Sequence, residues 1–274
     1  MNKIRLQRPT NVLLIKRIAL ENEITLIFEE CINFLISKSC VIFLEDIDYQ
    51  SNNVQKFEAN QAKNIHLVVT LGGDGTVIWA ASLFKDIAVP PIAGFNFGSL
   101  GFMTKFSPTN INDTLDRILS SEFISVETHS RLKYTIRDGD YTFSGLSTNE
   151  ICVDRGANGN ILEIEIYLAG EYCTTAVGDG LLIATPCGST AYSLSAGGSI
   201  VHYGIPGILI TPICPHSLSF RPLVVPDSVV ISLKIPENSR LCGWVNIDGH
   251  TKLKVNIGSL IEIKVSDHGI PCKP

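Results

Sequence analysis

No apolar run in this 274-residue sequence approaches the length needed to cross a membrane as a helix. The N-terminal nine residues are basic but lack an apolar core, so they do not read as a signal peptide. There is no CxxC pair. Cys31, Cys40, Cys152, Cys173, Cys187, Cys214, Cys242 and Cys272 are too scattered to suggest a zinc site or a disulfide framework. Most sit in apolar surroundings, read as reduced core thiols, and fit a cytoplasmic compartment. Positive charge is not in excess: 22 Lys and Arg stand against 27 Asp and Glu, a net charge of −5. That argues against nucleic acid or an anionic membrane as partner. It also means that an anionic substrate must be held by local donors or a metal. A Ser-His-Asp pattern, a His-rich metal cluster, a Walker A sequence, a dinucleotide fingerprint, internal repeats and low-complexity tracts are all missing. What is left is a core-forming composition, 45% hydrophobic and 18% charged, long enough for one large domain or two ordinary ones.

One stretch organises the rest. The run 67–71 (Leu-Val-Val-Thr-Leu) is short, partly β-branched and closed by Gly72-Gly73-Asp74-Gly75, so it reads as a buried strand. Residues 76–84 carry apolar positions at helical spacing, with Thr76 as the expected N-cap. A glycine-rich strand-to-helix junction leaves free N–H groups at a helix N-terminus and lets an anion approach the backbone. Asp74 is out of place beside a phosphate unless a metal lies between them or the carboxylate handles a proton. Both alternatives point to phosphoryl transfer. The same four residues are also ordinary turn chemistry, and this stretch alone leaves the two readings open.

Before it come a strand at 11–16, an amphipathic helix at 20–38 and a strand at 40–44, then a weakly patterned loop at 45–64. After it come a strand at 90–95 and a helix at 112–119. Alternating strands and helices over residues 1–125 predict a parallel, doubly wound α/β domain. Its ligands belong beyond the carboxyl ends of the strands, where Gly72–Gly75 and Gly98–Gly101 fall. From residue 126 the rhythm turns to short strands at 161–167, 172–177, 181–185, 207–211, 229–235, 241–247, 252–257 and 260–265. Asp248-Gly249 marks a hairpin. Residues 126–274 therefore read as a β-sandwich domain, its last residues being candidates for return to the first domain.

Four features of the second half have two readings each. Residues 185–198 break the β rhythm with a Pro-Cys-Gly-Ser loop, a short helix and a Gly-Gly stop. They form either a helical linker or a ligand-facing helix start with Tyr192 available for stacking. Asn149-Glu150 is either a surface strand end or, at a bend, an amide and carboxylate suited to vicinal hydroxyls. Gly178-Asp179-Gly180 reads by default as a hairpin turn. His216 is either structural or a ligand contact.

Taken together, these stretches resemble the NAD kinase family in its eukaryotic-type form, over nearly the whole chain. Gly72-Gly73-Asp74-Gly75-Thr76 alone is shared with lipid kinases and phosphofructokinases. The added Gly98-Ser99-Leu100-Gly101-Phe102, Asn149-Glu150, Gly178-Asp179-Gly180, residues 185–198 and Thr211-Pro212-Ile213-Cys214-Pro215-His216-Ser217-Leu218 follow the family's order and spacing. The resemblance implies transfer of the γ-phosphoryl of ATP to the 2′-hydroxyl of the adenosine ribose of NAD. It implies a divalent metal such as Mg2+, an α/β domain followed by a β-sandwich, and a homodimer or homotetramer. It makes Asp74 the catalytic base. Gly72, Gly73, Gly75 and Thr76 line the nucleotide site, Gly75 passes close to NAD, and Phe102 packs beside the adenine. Asn149 and Glu150 hold ribose hydroxyls, Asp179 the nicotinamide end, and Thr190, Ala191, Tyr192 and Ser195 the adenosine.

Three positions depart from the family pattern. Cys187 stands where a second Thr is common, Val177 where many bacterial members carry a basic residue, and the chain ends at Pro274, soon after the last strand. The competing expectation is a kinase of the same superfamily with a lipid or sugar-phosphate acceptor. A lipid acceptor calls for a basic amphipathic face and a sugar phosphate for clustered Arg or Lys, and the sequence offers neither. A non-catalytic nucleotide sensor is the third; it has no use for Asp74.

Overall fold

The structure, a computed structural model, describes residues 2–7, 10–16, 22–46, 51–85, 87–97, 101–217 and 219–273, the side chains of 22–24 excepted. The chain forms two compact units, residues 1–129 with 268–274, and residues 130–267.

The first unit is built on an eight-stranded sheet. In spatial order its strands are Asn2–Arg5, Phe123–His129, Ile270–Cys272, Ile92–Asn96, Leu67–Gly72, Asn11–Lys16, Val41–Leu44 and Val54–Lys56. From Ile270–Cys272 to Val54–Lys56 the pairings are parallel. Phe123–His129 pairs antiparallel with both of its neighbours, so the sheet is mixed and not the all-parallel sheet expected from the sequence. The reversed strand is Phe123–His129 itself, which straddles the expected boundary at residue 125 and takes its partners, Asn2–Arg5 and Ile270–Cys272, from opposite ends of the chain. Leu67–Gly72 is buried along its whole length, as a central strand covered on both faces must be. One face of the sheet (Val12, Leu14, Val69, Leu71, Phe95) packs with Cys31, Ile32 and Leu35 of α1 (Asn22–Ser37). The same core takes in Leu115 and Ile118 of α3 (Ile111–Ser120). Between these in sequence lies α2 (Asp74–Ser82), which packs on the strands Leu67–Gly72, Ile92–Asn96 and Asn11–Lys16. Each fully buried aliphatic side chain contributes about 1.5–3 kcal/mol.

α2 starts three residues earlier than expected. Its N-cap is Gly73, without a side-chain cap bond, and Thr76 lies inside the first turn, buried. Asp74 takes the first helical position, where the helix dipole favours a carboxylate. The weakly patterned region 45–64 contains the edge strand Val54–Lys56 and a 3-10 turn, Ala59–Asn64, among its described residues.

The second unit is a sandwich of two six-stranded antiparallel sheets. The first runs Leu223–Pro226, Gly207–Ile213, Gly180–Ala184, Glu150–Asp154, Gly243–Ile247, Thr251–Val255. The second runs Glu171–Gly178, Leu162–Leu168, Ile231–Lys234, Leu260–Val265, Leu132–Asp138, Tyr141–Ser147. The inner faces meet through Ile151, Val153, Leu181, Ile183, Val245 and Ile247 on one side. Ile136, Ile164, Ile166, Leu233, Ile261 and Ile263 face them from the other. Because strand residues alternate, Ile151 and Val153 point inward while Glu150, Cys152 and Asp154 belong to the outer face.

Gly178-Asp179-Gly180 is not a hairpin. Gly178 ends a strand of one sheet and Gly180 begins a strand of the other, so Asp179 sits at the corner where the chain changes sheets. Close backbone contact demands both glycines: a Cβ on Gly178 would lie 2.9 Å from the Cys214 carbonyl, and one on Gly180 2.4 Å from that of Val153.

Candidate functional site

In the first unit the site is built by a segment that folds back onto a strand. Asn96 N–H donates to the Phe106 carbonyl at 2.8 Å, and Phe106 N–H to that of Gly94 at 3.2 Å. Gly94 permits this approach, since a Cβ there would press on Thr104 and the Met103 carbonyl. The backbone of 101–104 is thereby laid against the start of α2. Phe102 N–H donates to Asp74 Oδ2 at 2.7 Å. Met103 N–H, Thr104 N–H and Thr104 Oγ1 donate to Oδ1 at 3.1, 3.1 and 2.9 Å. Three of the four bonds fall on Oδ1. A carboxylate oxygen offers about two lone pairs, so Oδ2 keeps acceptor capacity for a further donor. Cβ atoms built on Gly73 and Gly75 would meet nothing within 4 Å, which leaves open space beside the first turn of α2. Gly72 is buried at the strand end. Gly98, Ser99 and Leu100 lie outside the described residues.

Near Asp74, Lys105 and Glu127 form an ion pair at 3.0 Å, and His129 is fully buried. Burial pushes the His129 imidazole down to about 4, helped by the Lys105 charge and opposed by Glu127 and Asp74.

In the second unit the chain bends at Thr148 and Asn149, between the strands Tyr141–Ser147 and Glu150–Asp154. This is the bend that the Asn149-Glu150 pair requires. The hairpin residue Asp248 accepts from all of it. Oδ1 takes Ser147 Oγ at 2.8 Å, Asn149 N–H at 2.7 Å and Glu150 N–H at 3.1 Å, and Oδ2 takes Thr148 N–H at 2.7 Å. Thr185 holds the carbonyl side: its Oγ1 donates to the Thr148 carbonyl at 2.7 Å and its N–H to that of Asn149 at 2.9 Å. Gly188 packs so closely that a Cβ there would lie 2.2 Å from the Asn149 carbonyl oxygen. Glu150 is 8% exposed. Burial, then the Asp248 charge, push its carboxyl up to about 7, against a hydrogen bond from Tyr192 N–H. Its Oε2 is buried with no partner among the described residues.

The short helix expected within 185–198 is present as the single turn α4 (Tyr192–Ser195), after a 3-10 turn over Cys187–Thr190. Ser193 is buried and bonds Thr211 Oγ1 at 2.9 Å, whereas Tyr192 and Ser195 are exposed. Thr190 Oγ1 donates to the Cys187 carbonyl at 3.1 Å, and Ala191 is the backbone break between the two turns. Burial pushes the Tyr192 phenol up, with the charges of Cys152, Asp154, Cys214 and Asp179 adding to it. Asp179 Oδ1 accepts from Arg155 Nε at 2.7 Å. His216 is exposed, and its N–H donates to the Val177 carbonyl.

The structure thus gathers Gly72, Gly73, Asp74, Gly75, Thr76 and Phe102 around one helix start in the first unit. In the second it groups Asn149, Glu150, Asp179, Thr190, Ala191, Tyr192 and Ser195. Sequence reasoning missed Asp248 as more than a turn residue, and missed Thr104 and Arg155. No local signal marks them, because their partners are remote in the chain or, for Arg155, at the sheet-changing corner.

Among the described residues no three His, Cys, Asp or Glu side chains group as metal ligands. Asp74 has most of its acceptor capacity taken by protein donors. These residues do not fit a resident metal centre. Among them, too, no helix is long and apolar enough to cross a membrane.

Residues 13–123 match the family model described as the ATP-NAD kinase N-terminal domain, and residues 148–272 match that of the ATP-NAD kinase C-terminal domain. A probable NAD kinase 1 of Oryza sativa subsp. japonica is 43% identical over 241 residues, covering 84% of this chain and 44% of that protein. A mitochondrial NADH kinase of Schizosaccharomyces pombe is 34% identical over 273 residues, covering 96% of this chain and 70% of that protein. The crystal structure of a yeast NADH kinase complexed with NADH aligns with a TM-score of 0.87 at 31% identity, covering 98% of this chain and 83% of that one. The chain spans about half or less of the length of the rice and Arabidopsis relatives that it matches.

Proposed function

The chain belongs to the NAD kinase family, and on that premise we propose that it transfers the γ-phosphoryl of ATP to the 2′-hydroxyl of the adenosine ribose of NAD, giving NADP. The observation that carries this reading furthest is Glu150. A carboxyl oxygen buried without a partner, beside Asn149 on a fixed bend, is an acceptor built for a ligand hydroxyl. Vicinal ribose hydroxyls supply two such donors, one for each side chain.

Asp74 is the base in this reading. An alcohol becomes a competent nucleophile as its proton passes to a positioned acceptor, an effect of about 10²–10⁴-fold. The four donors on Asp74 hold the carboxylate still and leave Oδ2 able to take that proton. Gly73 and Gly75 leave room for a phosphate against the first turn of α2, and Gly72 and Thr76 frame that turn. Phe102 packs beside the adenine, Thr190, Ala191, Tyr192 and Ser195 cradle the adenosine, and Asp179 receives the nicotinamide end. A divalent cation such as Mg2+ belongs to the substrate, arriving on the triphosphate and neutralising its charge, since the described residues provide no resident site.

A cytoplasmic setting is supported by eight scattered cysteines with no CxxC pair, five of them buried. A homodimer or homotetramer is supported by exposed Tyr141, Phe143, Tyr172 and Val224 on edge strands of the sandwich. The test of function is incubation with ATP, Mg2+ and NAD, or NADH in parallel, with NADP measured by an NADP-specific dehydrogenase after oxidation where needed. NADP accumulation supports the reading. No product with any divalent metal overturns it, and phosphorylation of a lipid or sugar phosphate in its place would establish the alternative acceptor.

A further inference from the structure

Asp248 does more than a hairpin asks of it. It follows the strand Gly243–Ile247 in a turn with φ of 48° at Asp248 and 72° at Gly249. His250 N–H closes that turn on the Ile247 carbonyl. Such a turn wants residues that tolerate positive φ, and Asn or Gly would serve as well as Asp. The carboxylate takes no part in the turn. Its four hydrogen bonds all go to residues 147–150, about a hundred positions earlier in the chain. Three consecutive backbone N–H groups, which an ordinary strand junction would leave to solvent or a ladder, converge on one side chain. The carbonyls of the same bend are held separately, by Thr185 and by the Asp248 N–H on Glu150.

We propose that Asp248 is a positioning residue for the dinucleotide: by holding the amides of Thr148, Asn149 and Glu150 on one carboxylate, it fixes the direction in which the Asn149 and Glu150 side chains leave the backbone, and so sets affinity for the ribose hydroxyls. This rests on the NAD kinase reading for the identity of the ligand, though not for the clamp itself. The role belongs to binding and not to phosphoryl transfer, because none of the four bonds involves a reacting group. Asp248 has an electrostatic effect as well. The groups acting on Glu150 are Asp248 from the hairpin and Tyr192 N–H from α4, and Asp248 is the charge that, after burial, holds the Glu150 carboxyl near 7.

The decisive variant is Asp248→Asn. It keeps the side-chain shape and the tolerance of positive φ, but loses one acceptor and the charge. Gly249→Ala is its control: it strains the same turn at φ 72° and leaves the carboxylate in place. Three readouts apply. Asp248→Asn should raise KM for NAD about tenfold, the worth of one charge-assisted hydrogen bond, with KM for ATP and kcat within about threefold. The acid limb of kcat/KM for NAD should move to lower pH, because Glu150 then ionises more easily. Amide exchange at residues 148–150 should speed up in the free protein while the other strands keep their protection. Gly249→Ala should lower the melting temperature without raising KM for NAD.

The proposal is overturned if Asp248→Asn leaves KM for NAD and the exchange of residues 148–150 unchanged, or if Gly249→Ala reproduces its whole effect. Exchange needs no substrate. Faster exchange in a protein that makes no NADP would therefore keep the clamp and sink the kinase reading. NADP formation with unmoved exchange and KM would do the reverse.

Discussion

A Cβ built on Gly101 would lie 2.1 Å from Oδ1 of Asp74. No side chain fits there while the carboxylate keeps its four donors. The predicted consequence of Gly101→Ala is displacement of Asp74 and a kcat loss of at least about a hundredfold, in the range that a positioned base contributes. KM for NAD should move far less. Steady-state kinetics on the purified variant decide it, and a Gly101→Ala enzyme with wild-type kcat would show that the placement of Asp74 is unimportant.

Glu150 predicts a stability profile of definite sign. Its folded pKa near 7 lies above the ordinary 4.5, so between these values the folded state holds more protons than the unfolded one. The favourable contribution is complete below about 4.5 and is lost as pH rises through 7. Glu150→Gln removes that loss. The variant should melt higher than wild type at pH 8 and show a smaller gain at pH 5, read by thermal unfolding across the pH range. Equal shifts at both pH values would mean that the carboxyl is not held protonated.

His129 should act in the opposite sense. Its folded pKa near 4 lies below the ordinary 6.5, so stability from its neutral, buried ring is complete above 6.5 and drains away as pH falls toward 4. His129→Gln should therefore flatten the acid side of the profile relative to wild type, whatever its cost at neutral pH. An unchanged slope from pH 6.5 to 4 would contradict the assignment. Because Glu150 and His129 oppose each other over the same interval, only the single variants separate them.

The Arg155–Asp179 pair is partly exposed, so its removal should cost little stability. Arg155→Ala should leave the melting temperature near wild type and raise KM for NAD, because Asp179 loses the group that orients it at the sheet-changing corner. A fall in melting temperature with unaltered KM would recast the pair as structural.

Much of the first unit was legible because its strands are buried runs bounded by glycine or polar loops, as in Leu67–Gly72. The mixed character of the sheet was not. It depends on Phe123–His129, which runs opposite to Asn2–Arg5 and Ile270–Cys272, partners that both lie far away in the chain. In the sandwich, Leu162–Leu168 and Leu260–Val265 announced themselves by alternation. Tyr141–Ser147 did not, because an edge strand with four exposed residues at its start has little inward pattern to read. Gly178-Asp179-Gly180 looked like a hairpin because turn chemistry is local, whereas a change of sheet is visible only once both sheets exist. The candidate site divides in the same way. Asp74 and the Asn149-Glu150 pair could be picked out from residue type and order, but the groups that hold them, Thr104 and Asp248, lie 30 and about 100 positions away.

The most direct measurement compares NADP formation by the wild-type protein and by Asp74→Asn, at saturating ATP, Mg2+ and NAD, alongside NAD binding by titration calorimetry. The account predicts NADP from the wild type, a kcat at least about a hundredfold lower in the variant, and NAD affinity nearly the same in both. A variant that turns over at the wild-type rate, or a wild type that binds NAD and never phosphorylates it, would contradict the claim that Asp74 takes the proton of the ribose hydroxyl.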